Sequence, residues 1–347
     1  MGPERPTLVE RVLALLPLPY GWAAVLVAAL LGPPGSLLIG FLETGDLEAS
    51  MSAFFYGHLP ERRWQEILSI ILWFAFYTIL FWTIAYARRS VIKSRKALTP
   101  RLSEPGAFDA AFGHVSWLLP ALLIGFAIEA LFIGDYRARL ASAPGPVSTV
   151  YEAVSGPPLY LMSGTAIWVY ASAVWGLFRL GKGSLRLKPF YEDESMGLKP
   201  MAKLSLSLSA AYFGLLLIMG LMLLIGPVRT EYVITVATLL VLGLVLFFLP
   251  LIGAHRRMKA EKKALREAVR ARWEEILAGT LTPTEDEEDE PRTFDPGAVL
   301  ALEALERKVA AAQTWPVDVP ILSKLGVMAL SIILALVTQI VSNLLGL

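Results

Sequence analysis

Stretches of about twenty residues with almost no charge recur along this chain, and they leave few folds open. The hydrocarbon core of a bilayer is about 30 Å thick, so an α-helix crosses it in roughly 20 apolar residues. No water is available there, and every backbone amide and carbonyl must find its partner within a helix or a closed barrel. Seven stretches meet the length criterion: Tyr20–Leu42, Ile67–Ala87, Val115–Gly134, Leu159–Leu180, Ser209–Ile225, Val233–Ile252 and Leu322–Leu347. Hydrophobic residues make up 55% of the 347 and charged residues 18%, a balance outside the range of water-soluble domains. The expected fold class is all-α, a polytopic protein of the cell membrane with seven transmembrane helices, and its first partner is the lipid bilayer.

Charge sets the expected orientation. Two Lys or Arg lie between the third and fourth stretches and one between the fifth and sixth, whereas the segment after the second holds six and the end of the fourth together with the segment after it, counted from Arg179, also holds six. Basic residues stay on the cytoplasmic side, which places the N-terminus in and the C-terminus out. The formal net charge of +1 gives no basic excess to attract a nucleic acid.

Within the spans, Pro33-Pro34 should kink the first helix, because proline removes a backbone donor and clashes with the preceding turn. A broken span can line a binding site, or the break can be absorbed by neighbouring helices. Glu129 lies inside the third stretch, where an unpaired carboxylate costs about 2–3 kcal/mol or more, so it needs a partner or a wet cavity. Glu43, Asp46 and Asp135 fall near the same predicted face and would form an acidic vestibule with it, or stand as solvated loop residues. In the last span Ser331, Thr338 and Ser342 share one face, with Gln339 and Asn343 on its flank. They could line an ion pathway or bond helix to helix.

Three units are expected: a six-span bundle over residues 1–254, a cytoplasmic helical segment over 255–316, and the seventh span over 317–347. The cytoplasmic segment holds a charged helix from His255 to Ala278 with Met258, Leu265 and Val269 on one stripe, and an acidic linker over 280–296 that should be disordered. A second helix follows from Pro296, with Leu302, Leu305 and Val309 at coiled-coil spacing. The two stripes should pack on each other or across subunits of a homo-oligomer. Trp315 and Pro316 should turn the chain at the headgroup level before it re-enters the bilayer.

There is no Cys, and three scattered His give no metal-binding spacing. No phosphate loop, nucleophile elbow or paired intramembrane acids appear, so neither an enzyme activity nor a cofactor or metal is expected. The polar segment Glu192–Pro200 stands out as a possible functional loop or an ordinary structured turn.

Asp193-x-x-x-Gly197-Leu198-x-Pro200 after the fourth span, with Thr314-Trp315-Pro316-x-Asp318 before the last, resembles a family of uncharacterised prokaryotic seven-span membrane proteins. More remotely, the topology and the helices ahead of the last span resemble the insect odorant and gustatory receptor channels. That resemblance implies a homo-oligomer with the last helix at a cation pore, although of the signature expected in that helix only Gln339-Ile340 is met, and loosely. The expectation is a channel-like cation pathway, with a secondary transporter or a membrane sensor using the cytoplasmic helices as alternatives. Its partner would be an inorganic cation or a small-molecule ligand.

Overall fold

A computed structural model describes residues 4–54, 63–104, 106–131, 133–183, 185–190, 192–223, 230–281 and 296–345. Among these residues all regular structure is helical, apart from one isolated bridge between Leu102 and Leu185. The helices are α1 (Leu8–Leu13), α2 (Tyr20–Leu31), α3 (Pro33–Thr44), α4 (Leu47–Phe54), α5 (Arg63–Leu98), α6 (Ala107–Phe112), α7 (Leu118–Leu131), α8 (Ile133–Ser142), α9 (Pro146–Lys182), α10 (Lys199–Leu223), α11 (Thr230–Phe248), α12 (Ile252–Leu281), α13 (Pro296–Ala311) and α14 (Val319–Leu345).

Among the described residues five helical segments are long and apolar enough to cross a membrane, and up to seven if two bent pairs count as single spans. Those pairs are α2 with α3, bent by 44°, and α7 with α8, bent by 65°. The chain is a multi-pass membrane protein.

One end of the bundle gathers the basic residues. There Arg88 meets Glu10 at 2.7 Å, the Arg186 amide donates to the Arg101 carbonyl at 2.7 Å, and the Arg257 guanidinium donates to the Lys182 carbonyl at 3.2 Å. Consequently α2, α7, α10 and α14 start at this basic end, whereas α5, α9 and α11 finish there.

The long helix α9 is the axis of the fold, flanked by α7, α5, α3 and α6. It permits close approach because it is rich in small residues. A Cβ on Gly164 would collide with the backbone of Ala121 and Gly125 on α7, so this crossing admits no side chain. Beyond α9, α10 packs against α5, α11 and α14. The buried faces of these helices supply Phe81, Ile84, Phe112, Leu177, Phe213 and Phe247 to one continuous core.

The sixth apolar stretch does not end where hydropathy fades. From Val233 to Ala278 the chain is one 46-residue segment with no sharp bend, about 69 Å at 1.5 Å per residue. That is more than twice the hydrocarbon thickness, so the half made by α12 stands beyond the basic end. Helix α13 packs back along it: Leu302, Val309 and Val269 are buried, and Leu265, Trp273 and Ile276 are packed against them. The Lys262 ammonium closes the hairpin by donating to the Ala310 carbonyl at 2.7 Å and the Ala312 carbonyl at 2.6 Å, two groups left bare by the end of α13. The acidic run Glu285–Glu290 lies outside the described residues.

Other boundaries also differ from the hydropathy reading. Helix α9, the fourth apolar stretch, begins at Pro146 and keeps Pro157 and Pro158 inside it, and α10, the fifth, begins at Lys199. Pro157 leaves the Ala153 carbonyl without its usual donor, and the Tyr136 hydroxyl supplies one at 3.0 Å. The segment before the first span is not merely polar. It forms α1, whose Thr7 and Glu10 make a reciprocal capping box.

Candidate functional site

The break in the first span lies at Gly32, with Pro33 opening α3. A proline at the first helical position needs no donor, but carbonyls just before the break lose theirs. The Tyr151 hydroxyl of α9 donates to the Leu30 carbonyl and, at 3.4 Å, to that of Gly32, and the Ser36 hydroxyl donates to the Glu152 carboxylate. A Cβ on Gly35 would strike the Leu30 oxygen and the Tyr151 hydroxyl. The kink is thus filled by the neighbouring helix and does not itself open a site.

A cavity of about 420 Å³ opens beside it, walled by five segments of the chain. Helix α1 contributes Leu8, Val9, Val12 and Leu13, α2 contributes Val27 and Leu31, and α5 contributes Phe81. From α7 come Leu122, Gly125, Phe126 and Glu129, an i, i+3, i+4, i+7 row on a single face, and α9 closes the wall from Pro157 to Met162. Its size falls within the range of about 300–1,000 Å³ usual for small-molecule sites.

Among the described residues Glu129 is the one charged side chain in that lining, which also holds Tyr160. Among the described residues it makes no hydrogen bond or ion pair; the hydroxyl that feels its charge is Tyr136, which is also close to Glu152. The cavity therefore combines an apolar wall with a half-buried, unmatched carboxylate near the far end of α7.

The other acids near the far end are occupied. The Glu43 carboxylate accepts the Val147 amide at 2.9 Å and the Ser148 amide at 2.8 Å, capping the start of α9 from another helix. Asp46 accepts the Glu48 amide at 2.8 Å at the start of α4. Neither lines the cavity that holds Glu129, and the Asp135 side chain lies outside the described residues.

Helix α14 divides the polar set expected on it. Gln339 is buried and turned into the bundle with Ile332, Ala335 and Leu336, whereas Thr338 is exposed and Ser331 half-exposed, its hydroxyl returning to the Val327 carbonyl at 2.9 Å. The side chains of Ser342 and Asn343 lie outside the described residues. On the stalk, Met258 is fully buried within its own chain and Val269 nearly so, with Leu265 packed beside them.

The two motifs that flank the stalk meet at the basic end. The Asp193 carboxylate accepts the Ser195 amide at 3.0 Å, the Ser195 hydroxyl at 2.6 Å and the Gly197 amide at 3.1 Å, which holds Met196 and Gly197 at φ of 52° and 79°. Burial alone would raise the Asp193 carboxyl, but these donors outweigh it and hold its pKa below the usual range. Met196 and Leu198 are thereby pressed fully into the core, so the segment is an ordered anchor. The next residue, Lys199, pairs with Asp318 at the start of α14. His255 stacks on Trp315 at 4.2 Å, and its Nδ1 is 2.7 Å from the Thr314 carbonyl; because a carbonyl only accepts, Nδ1 carries the proton. Pro316 is buried behind this joint.

No family model matches the sequence, and no curated protein or solved structure is similar to it. Sequence reasoning found Glu129 as a lone intramembrane charge but missed Tyr151, Tyr136 and the α1 wall. The capping box Thr7-x-x-Glu10 ahead of apolar Val12 and Leu13 was the available signal for α1. Nothing local in the sequence points to Tyr151, which acts about 120 positions from its acceptors.

Proposed function

We propose that this chain is a seven-span transport protein of the cell membrane, with its basic end in the cytoplasm, and that its substrate carries a positive charge bound at Glu129. The observation that carries this reading is the unpaired carboxylate in an apolar cavity inside a single subunit. Retaining a charged group in such surroundings costs about 2–3 kcal/mol or more, and a cationic substrate would offset that cost. The orientation rests on the collection of Arg and Lys at one end. Cysteine labelling of the otherwise Cys-free chain tests it: Ala264→Cys on the stalk should react only after permeabilisation of cells, and Ala141→Cys without it.

For transport itself, the full chain in liposomes is offered a panel of radiolabelled monocations from sodium to alkylammonium ions. Accumulation of one of them, abolished in Glu129→Gln, is the expected result. Uptake identical in wild type and variant across the panel would remove Glu129 from any transport role.

A pore shared between subunits is the second reading, favoured by the free face of α14. Leu322, Val327, Leu330, Leu334 and Val341 are exposed there together with Thr338, and Gly326 faces open space. In a homo-oligomer that face would meet its copies, with the Ser331 and Thr338 hydroxyls towards the axis, as the resemblance to the insect receptor channels implies. Thr338→Leu should then abolish conductance while Glu129→Gln leaves it intact, the reverse of the first reading.

A further inference from the structure

Which positive charge the cavity suits follows from what surrounds Glu129. A hard inorganic cation requires about six to eight oxygen ligands, or a near-octahedral set, to replace its water. The lining offers one carboxylate, and no group of three or more metal-ligating side chains occurs among the described residues. An alkylammonium ion has no such demand, since its charge is spread over a body that is itself apolar.

The shape of the cavity adds a tail to that head. From Glu129 back to Leu122 the α7 row covers seven residue steps, about 10 Å, and the cavity continues from there to α1 at the basic end. Along this path the walls are Leu8, Val12, Val27 and Phe81, with no second charge. The rim is open sideways, because Phe126 is 64% exposed and Val12 54%. An anionic amphiphile would place its head against the carboxylate, and a small cation would leave the apolar length empty.

Resting on the reading of this cavity as the substrate site, we propose that it takes a single-chain cationic amphiphile, loaded from the lipid phase, with its ammonium head at Glu129 and its tail along α7 towards α1. Charge complementarity fixes the head, and the apolar, laterally open length fixes the tail.

The test is equilibrium binding to the full chain in phosphatidylcholine nanodiscs, with empty discs subtracted. Three radiolabelled probes separate the terms: dodecyltrimethylammonium, its uncharged counterpart dodecanol, and tetramethylammonium. Saturable binding of dodecyltrimethylammonium is expected, weakened about 30-fold or more in Glu129→Gln because a buried charge loses its partner. Dodecanol should bind more weakly and equally to both forms. A second variant, Val12→Trp, fills the tail path from a surface position; it should weaken dodecyltrimethylammonium and leave tetramethylammonium unchanged. If tetramethylammonium binds as tightly as the long-chain probe with the same dependence on Glu129, the amphiphile proposal falls while the cation site stands. If dodecanol matches the amphiphile and Glu129→Gln alters neither, the cavity is an ordinary lipid-filled groove and both readings fall.

Discussion

Two carboxylates of this protein stand in apolar surroundings and are treated in opposite ways. Glu10 is 6% exposed and completely engaged: its oxygens accept Arg88 Nε at 3.0 and 2.7 Å, the Thr7 amide at 2.9 Å and the Thr7 hydroxyl at 3.0 Å. Glu129 lines a cavity and has no such partner among the described residues. The first pattern is how a protein keeps a structural charge, because a buried ion offsets its lost hydration only when its lone pairs are met by donors. The same economy appears where Glu43 caps α9, at Asp193 in its turn and at Tyr151 across the kink. Against that background the bare carboxylate in the cavity lining stands out, and on the proposed reading its partner is a substrate that arrives from outside.

The comparison is broken most severely at Arg88. Arg88→Ala leaves Glu10 buried without its cation, and stability should fall by about 3–5 kcal/mol, seen as a large drop in the unfolding midpoint in detergent. Glu10→Gln combined with Arg88→Met should recover much of it, since removing both partners avoids the stranded charge. A single variant close to wild type would mean that α1 is not held by this pair.

Glu129→Gln should move stability the other way. Loss of an unmatched carboxyl group costs no interaction, so the midpoint should hold or rise by up to about 2 kcal/mol while cation binding declines. Lower stability in this variant would return Glu129 to the structural class with Glu10.

An intermediate effect is expected at the kink. Tyr151→Phe removes the hydroxyl that serves the Leu30 carbonyl, whose helical donor is lost at Pro34, and a stranded acceptor costs about 1–3 kcal/mol. Amide hydrogen exchange should accelerate around Gly32. Unchanged exchange there would show that the break is closed by other means.

What the sequence made legible follows from which constraints act locally. The apolar stretches announced themselves because hydrocarbon demands them residue by residue, and Pro33 marked its kink to within one position of the observed break at Gly32. Helix ends were less visible: α9 continues past hydropathy through Ser148 and Glu152, and α12 prolongs α11 as a charged rod, because backbone hydrogen bonding is indifferent to what the side chains meet. The charge of Glu129 could be read, but its cavity could not, since five segments from Leu8 to Met162 must assemble to make it. On α14, spacing grouped Ser331 with Thr338 and set Gln339 on a flank. Which flank turns inward was decided by Ile321, Leu325, Ile332 and Leu336 packing into the core, information carried by the other helices.

The smallest effect is expected where the pairing is most exposed, at the joint between the Asp193 turn and α14. The Lys199 ammonium beside Asp318, helped by the Ile321 amide at 3.1 Å, holds the Asp318 carboxyl below the usual carboxylate range. A carboxyl whose pKa is depressed by folding contributes its stabilisation in full above the unfolded value, about 3.9, and loses it as pH falls through the lower folded value. The contact between α10 and α14 should therefore be insensitive to pH from neutrality down to about 5 and loosen only under stronger acid. Asp318→Asn should remove this acid-sensitive step while leaving neutral stability nearly unchanged, because partly exposed pairs contribute about 0–1 kcal/mol. Fluorescence of Trp315, which stacks on His255 four residues before its chain enters α14 proper, gives the readout if the other tryptophans are replaced by phenylalanine. A transition that survives Asp318→Asn at the same pH would assign the acid response to another group, with the Asp193 turn, whose carboxyl is also held low, as the next to test by Asp193→Asn.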